Sequence, residues 1–269
     1  MKEKEIALLE GKMSNKDNRR RSIMKKAVLV LTVLMLAALP IFAEGAADDA
    51  AESNWPERPV TVIVPYSAGG GTDAVGRVVA DLLQKEYGKP FNVLNRDGGS
   101  GVIGHTAIAD AKPDGYTIGL ATFSSTTFKW FGSSNVTYED YTPLALMNVD
   151  TTAILVNQDS EYTSLQQLID DIRDNPGKVS MATPIGAGHH LAFSNLLDKL
   201  GIDPNNLNVV PVSGGAIILQ ELAAAGVDVG PSTLPEAAGL IEAGKVRPLA
   251  LLAAERNPAY PDLPTAKEA

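Results

Sequence analysis

The sequence contains no cysteine. Disulfides, thiolate metal sites, cysteine nucleophiles and a cysteine-linked lipid anchor are thereby excluded. Positive charge is scarce as well. The 23 Lys and Arg against 32 Asp and Glu leave a net charge of −9, opposite in sign to the basic footprint of a nucleic-acid binder. Histidine occurs three times. None of the three has metal-ligand spacing, so no metal site is expected. No Gly-Lys-Ser/Thr follows the glycine-rich turn described below, which excludes a Walker loop. No G-x-S-x-G elbow presents a serine nucleophile either, so no catalytic residue is assigned.

The N-terminus reads as a targeting segment. Residues 27–42 (AVLVLTVLMLAALPIF) form an unbroken apolar run preceded by Arg19, Arg20, Arg21, Lys25 and Lys26. Ala43 is the expected cleavage point, before a small, acidic stretch. Order and length are those of a signal peptide, slightly short for a spanning helix. The RRSIMK hexapeptide from Arg20 also resembles a twin-arginine signal. Residues 1–43 hold 9 of the 23 basic residues and 4 of the 32 acidic ones, so the remainder carries −14. An anionic ligand would approach against that field and would need local backbone donors.

Residues 60–76, VTVIVPYSAGGGTDAVG, organise the rest of the chain. A β-branched apolar run (Val60, Val62, Ile63, Val64) predicts a buried strand stopped by Pro65. Gly69, Gly70 and Gly71 allow a sharp turn with bare N–H groups. Thr72 or Asp73 is expected to cap a helix with Val75, Val78, Val79, Leu82 and Leu83 on one face, ending at Gly88. A strand feeding a glycine turn into a helix N-terminus is a physical device for holding an anion.

The same unit recurs. Residues 91–95 read as a strand before a second glycine turn, 96–101, and a helix to about Ala111. Residues 116–121 form a third strand that runs into the hydroxyl-rich stretch Thr122, Phe123, Ser124, Ser125, Thr126, Thr127. This β-α-β-α-β order implies a parallel sheet with right-handed crossovers, whose ligands bind beyond the carboxyl ends of the strands. The glycine turn and the hydroxyl run should therefore face one crevice. Residues 145–156 read as an extended crossing segment. A second α/β unit follows, with a Ser164/Gln167 capping box, an apolar face at Leu165, Leu168, Ile169 and Ile172, and strands near 179–182, 209–212 and 227–229. Its turns are 183–190 and 213–216, and 246–253 crosses back. The fold class is α/β, with two lobes that form a hinged clamp, each a mostly parallel sheet flanked by helices. The expected division is a signal peptide at 1–43, a flexible lead at 44–54, lobe 1 at 55–150, lobe 2 at 151–250, and a return toward lobe 1 at 251–269.

Two readings of the glycine turn stay open at this level. Gly69-x-Gly71-x-x-Ala74 fits a relaxed dinucleotide fingerprint, and Arg96 suits an NADP 2′-phosphate. The leader argues for an exported protein, which seldom uses such cofactors, and no cofactor is assigned. Ser124 and Ser125 read as hydrogen-bond donors, Asp73 as an N-cap, His105 as a helix-surface residue, and Tyr66 and Phe123 as candidate cleft walls. His189 and His190 are adjacent at a helix start and point in different directions.

Four pieces carry a family resemblance: WPERPVTVIVPYSAGGGTDAVGR, NRDGGSGVIGHTAIADAKPDGYTIGLAT, the stretch around GAGHHLA, and IEAGKVRPLALLAAERNPAYPDLPTAKEA. Their order and spacing resemble the extracytoplasmic solute receptors of tripartite tricarboxylate transporters, the Bug receptors. The resemblance implies a type II-like periplasmic-binding-protein fold that closes on a small carboxylic acid. It implies delivery of the acid to a permease of one small and one large membrane subunit; the receptor itself is expected to be a monomer. It places ligand contacts at Tyr66, Ser67, Ala68, Gly69, Gly70, Gly71, Thr72 and Asp73, at Thr122 and Ser124, and at the second-lobe turn holding Gly186, Gly188 and His190. Three departures stand out. Pro184 and Gly188 replace the family's first glycine and its serine in that turn. Val212-Ser213-Gly214-Gly215 replaces Tyr-Lys-Gly-Ser, leaving Gly214 as a candidate contact. Ser232-Thr233 replaces Asp-Asn. Family members also continue beyond the position of Ala269, so a truncated receptor is a further reading.

Overall fold

A computed structural model describes residues 54–269. The expected leader and all of the lead except Asn54 lie outside the described residues.

The first sheet is built from β1 (Val60–Val64), β2 (Phe91–Asn95) and β3 (Thr117–Gly119) in the order β2-β1-β3, all parallel. Val60, Val62 and Val64 are fully buried on the central strand. Helix α1 (Gly71–Tyr87) and helix α2 (Val102–Ala109) are the crossovers. α1 turns small residues inward: Gly76 and Ala80, one turn apart, are buried with Asp73. A Cβ on Gly76 would lie 2.8 Å from Val64 Cγ2, so the absent side chain sets how closely α1 approaches β1. Val78 and Leu82, expected on the buried face, are 60% and 59% exposed. The small-residue stripe takes the contact that an apolar stripe would otherwise make.

Residues 145–151, the first part of the segment expected to be extended, carry no regular element. Leu144, Leu146 and Val149 stand in solvent. The crossing segment becomes a strand only at β4 (Thr152–Asn157).

The second sheet comprises β4, β5 (Ser180–Thr183), β6 (Asn208–Pro211), β7 (Val229–Thr233) and β8 (Val246–Leu251), in the order β6-β5-β7-β4-β8. β5 pairs parallel with β6 and β7, while β4 runs antiparallel to β7 and β8. Helix α3 (Leu165–Asp174) buries the four expected apolar residues against one face. Its cap is half the expected box: Ser164 Oγ accepts from the Gln167 N–H, while Gln167 Oε1 accepts from the N–H and hydroxyl of Thr163. Helices α4 (Gly188–Lys199), α5 (Gly215–Ala223) and α6 (Leu234–Glu242) complete the lobe. Residues 252–269 stay on this lobe. Leu263 is buried beside Leu251 and Leu234, and Thr265 bridges to Leu251.

Candidate functional site: a seam between the lobes

β1 delivers the chain to Tyr66, and Gly69 turns it with a φ of +85°, a left-handed conformation that favours glycine. Gly70, in extended conformation, is the N-cap of α1, and no side chain caps it. Asp73 has a different task from the expected cap. It is 3% exposed. Its Oδ2 accepts from the Gly69 N–H and from Arg77 Nε, each at 2.9 Å, and its Oδ1 accepts from Asn95 Nδ2 at 2.9 Å. Asn95 Nδ2 also donates to the Tyr66 carbonyl. Burial pushes the Asp73 carboxyl up, but the bonds from Arg77, Gly69 and Asn95 outweigh it and hold it below the ordinary range. Asp73 thus braces the turn as an ionised group. Asn95 stands where a ribose-binding acid would end strand two, and it is spent on that brace. Ala68 is exposed at the tip and Thr72 is half-buried in the first helical turn.

The hydroxyl run is wired to the turn. Tyr66 Oη lies 2.7 Å from Ser124 Oγ and 3.1 Å from Thr122 Oγ1. Burial pushes the Tyr66 phenol up. His105 is fully buried and not on the helix surface as expected. Its Nδ1–H donates to the Gly101 carbonyl at 2.7 Å, and its Nε2 accepts from the Thr122 N–H at 3.1 Å. That pairing requires the neutral ring, and burial pushes its pKa down. Ser125 Oγ donates to the Thr122 carbonyl within its own turn at 2.9 Å. Tyr66 is buried, while Phe123 is largely exposed.

The second lobe meets this surface directly. Gly71 N–H donates to Glu236 Oε1 at 2.8 Å. Ser67 Oγ donates to Asp97 Oδ2 and accepts from Ser213 Oγ at 2.8 Å. Thr127 Oγ1 donates to the Gly186 carbonyl at 2.8 Å, and Ser100 Oγ accepts from the Ile185 N–H at 3.1 Å. Gly214 lies against Tyr66, where a Cβ would come within 3.3 Å of the Tyr66 Cβ. Gly188 faces Phe123. His190 Nδ1 accepts from the Gly186 N–H at 3.1 Å, and His189 Nδ1 lies 2.8 Å from Thr152 Oγ1. Burial pushes both rings toward the neutral form; for His189 the charges of Glu236 and Asp150 oppose it. The Thr183 hydroxyl, at the carboxyl end of β5, is fully buried with no hydrogen-bond partner among the described residues. The predicted turns of both lobes therefore converge on one seam.

Residues 75–269 match the family described as the tripartite tricarboxylate transporter family receptor, TctC. The chain belongs to that family. A relative in Bordetella pertussis, described as a UPF0065 protein, is 33% identical over 226 residues, 83% of this chain and 69% of its own length. The protein BugT of the same organism is 30% identical over 241 residues, 87% of this chain and 73% of its own length. The chain spans 63–74% of the lengths of the curated relatives it matches. Among solved structures, MatC of Rhodopseudomonas palustris with bound malate is 29% identical, with a TM-score of 0.73 over 80% of this chain and 74% of that one. A protein of R. palustris with adipate is 31% identical, with a TM-score of 0.70 over 80% and 72%. The two-lobed α/β architecture is thus that of the periplasmic binding proteins, as the sequence leads one to expect.

Sequence reasoning missed Glu236, Ser213 and Ser100. Ser213 and Ser100 sit inside turns already singled out, and the recurrence of those turns was the available signal. Glu236 had a misleading one. It stands at the third position of α6 after Thr233, where a capping box returns the acid to the N-cap N–H. Thr233 Oγ1 does accept from the Glu236 N–H. The Glu236 carboxylate instead crosses the seam, with Oε2 held by Ser232 Oγ at 2.9 Å.

Proposed function

We propose that this protein is an extracytoplasmic receptor that closes its lobes on a small carboxylic acid and hands it to a tripartite membrane permease. The observation that carries the reading is the Gly71–Glu236 contact: an amide at the start of α1 already takes a carboxylate at the junction of the lobes. A helix N-terminus with free N–H groups favours that charge, and such local donors offset the −14 field of residues 44–269. MatC with malate and the adipate-bound neighbour supply the ligand class. Residues 66–73 hold one carboxylate through backbone N–H groups, with the Gly69 N–H kept on Asp73 and the Gly71 N–H taken over from Glu236; Thr122, Ser124, Gly186, Gly188, His190 and Gly214 line the remainder. The lobes divide near residue 150. The protein works by capture and release, without making or breaking bonds in its ligand. It acts as a monomer in the periplasm, exported by residues 1–43, and its partners are one small and one large permease subunit.

Calorimetry against malate, adipate, succinate, citrate and aspartate tests this reading; no heat from any of them rejects it. Gly70→Val provides the site control. A Cβ there would sit 3.2 Å from Glu236 Oε1 and 3.5 Å from the Ala216 N. A branched side chain fills the space beside the amides, and binding is expected to vanish with the circular dichroism spectrum unchanged.

A further inference from the structure

Glu236 occupies an unusual position for an acid in a protein that takes up acids. Its Oε1 sits on the Gly71 amide of one lobe, and its Oε2 is tethered by Ser232 of the other. Gly215, the first residue of α5, leaves room for it: a Cβ there would come within 2.1 Å of Oε1. The carboxylate therefore lies where the starts of α1 and α5 face each other across the seam, the place where a bound acid would find its donors.

We infer that Glu236 is a built-in competitor for the carboxylate position, which closes the lobes without ligand and sets how tightly an acid binds. This inference rests on the receptor reading for its ligand, though not for the closure. The physical case has two parts. First, one N–H cannot serve two carboxylates fully, and two carboxylates side by side repel. An incoming acid must therefore displace Oε1, and Ser232 remains to receive the released side chain on its own lobe. Second, apparent affinity falls with the fraction of molecules whose site is free. A tethered internal carboxylate keeps that fraction low, so weak or poorly fitting acids are rejected and only those that contact both lobes replace the lost bond. Glu236 is thus an affinity-setting residue. Nothing in the backbone turn needs to change for it to act.

The absence of native cysteine makes a ligand-free test direct. Spin labels at Glu86→Cys on α1 and Lys199→Cys on α4, both exposed positions, report the distance between lobes. In the ligand-free protein a single narrow distribution is expected. In Glu236→Ala it should broaden and shift, and in the isosteric Glu236→Gln, which keeps an oxygen for the Gly71 N–H, the change should be smaller. Superimposable distributions in all three, with thermal melts confirming the fold, overturn the closure. Titration with malate and with adipate supplies the second arm. Glu236→Ala should bind about tenfold more tightly, as when the competent fraction rises from roughly a tenth to nearly all. Weaker or unchanged binding overturns the competition and makes Glu236 a ligand contact or a bystander. If neither probe binds any variant, the carboxylate reading fails for those acids, while the labelled distances still decide whether Glu236 holds the lobes together.

Discussion

The Tyr66 hydroxyl lies 2.7 Å from Ser124 Oγ, tying the end of β1 to the hydroxyl run after β3. Through Thr122 the same link reaches His105, so the two loops that lie beyond the carboxyl ends of the strands are joined before any ligand arrives. Tyr66→Phe removes one oxygen and leaves buried Ser124 and half-buried Thr122 without it. The expected cost is about 1–3 kcal/mol of folding stability, read from urea unfolding, together with weaker ligand binding in calorimetry. Unchanged values for both would show that the two loops hold their places independently.

Gly215→Ala is expected to reproduce part of the Glu236→Ala behaviour. The new methyl group collides with Oε1, and the glutamate, being the flexible end, is the group that moves. The labelled interlobe distance should lengthen while folding stability changes by no more than about 1 kcal/mol, since alanine is the better helix former. An unshifted distance would mean that the carboxylate keeps its place.

Acid should destabilise the fold in two phases. His105 and His189 are held neutral by burial, with pKa values below the ordinary 6.5. The unfolded chain takes up protons first, so stability begins to fall as pH drops below 6.5. Asp171 behaves as a depressed carboxyl. Hydrogen bonds from Lys178, Tyr162 and Asn175 bring it from 3.8 to about 2. Its contribution is complete above pH 3.8 and is lost as pH falls toward 2. Urea unfolding at stepped pH should show both phases, and Asp171→Asn should flatten the lower one. A lower phase of undiminished slope in that variant would assign it to other carboxylates.

Thr183→Val should stabilise the ligand-free protein by about 1 kcal/mol. The hydroxyl is buried without a partner among the described residues, and valine has the same shape without the cost of an unsatisfied polar group. The midpoint of thermal unfolding is the measurement, and a fall would reveal a partner for the hydroxyl.

Much of this was legible from residue order. β1 falls where its apolar run predicts, because a short β-branched run stopped by proline has few other uses, and β2 falls where the sequence places a strand before the second glycine turn. Tyr66, at the head of the glycine turn, meets the hydroxyl run because the parallel strands deliver both to their carboxyl ends. Long-range choices were less visible. His105 reads as polar and therefore exposed, yet a ring with two partners of its own can be buried. Val78 and Leu82 read as core, but a glycine–alanine stripe took the closer contact. Glu236 matched a local capping pattern so well that its outward reach could not be seen from neighbours in sequence. That reach depends on Gly71, 165 residues earlier.

Gly71 is the first residue of its helix, and what it offers Glu236 is main chain. Trimming side chains one at a time along the loop would never delete that donor, since every amino acid except proline carries it. Proline happens to suit the opening position of a helix. Gly71→Pro therefore removes the donor, sets a ring carbon where Glu236 Oε1 is received, and leaves α1 standing, a change that resembles breakage on paper yet acts at the seam itself.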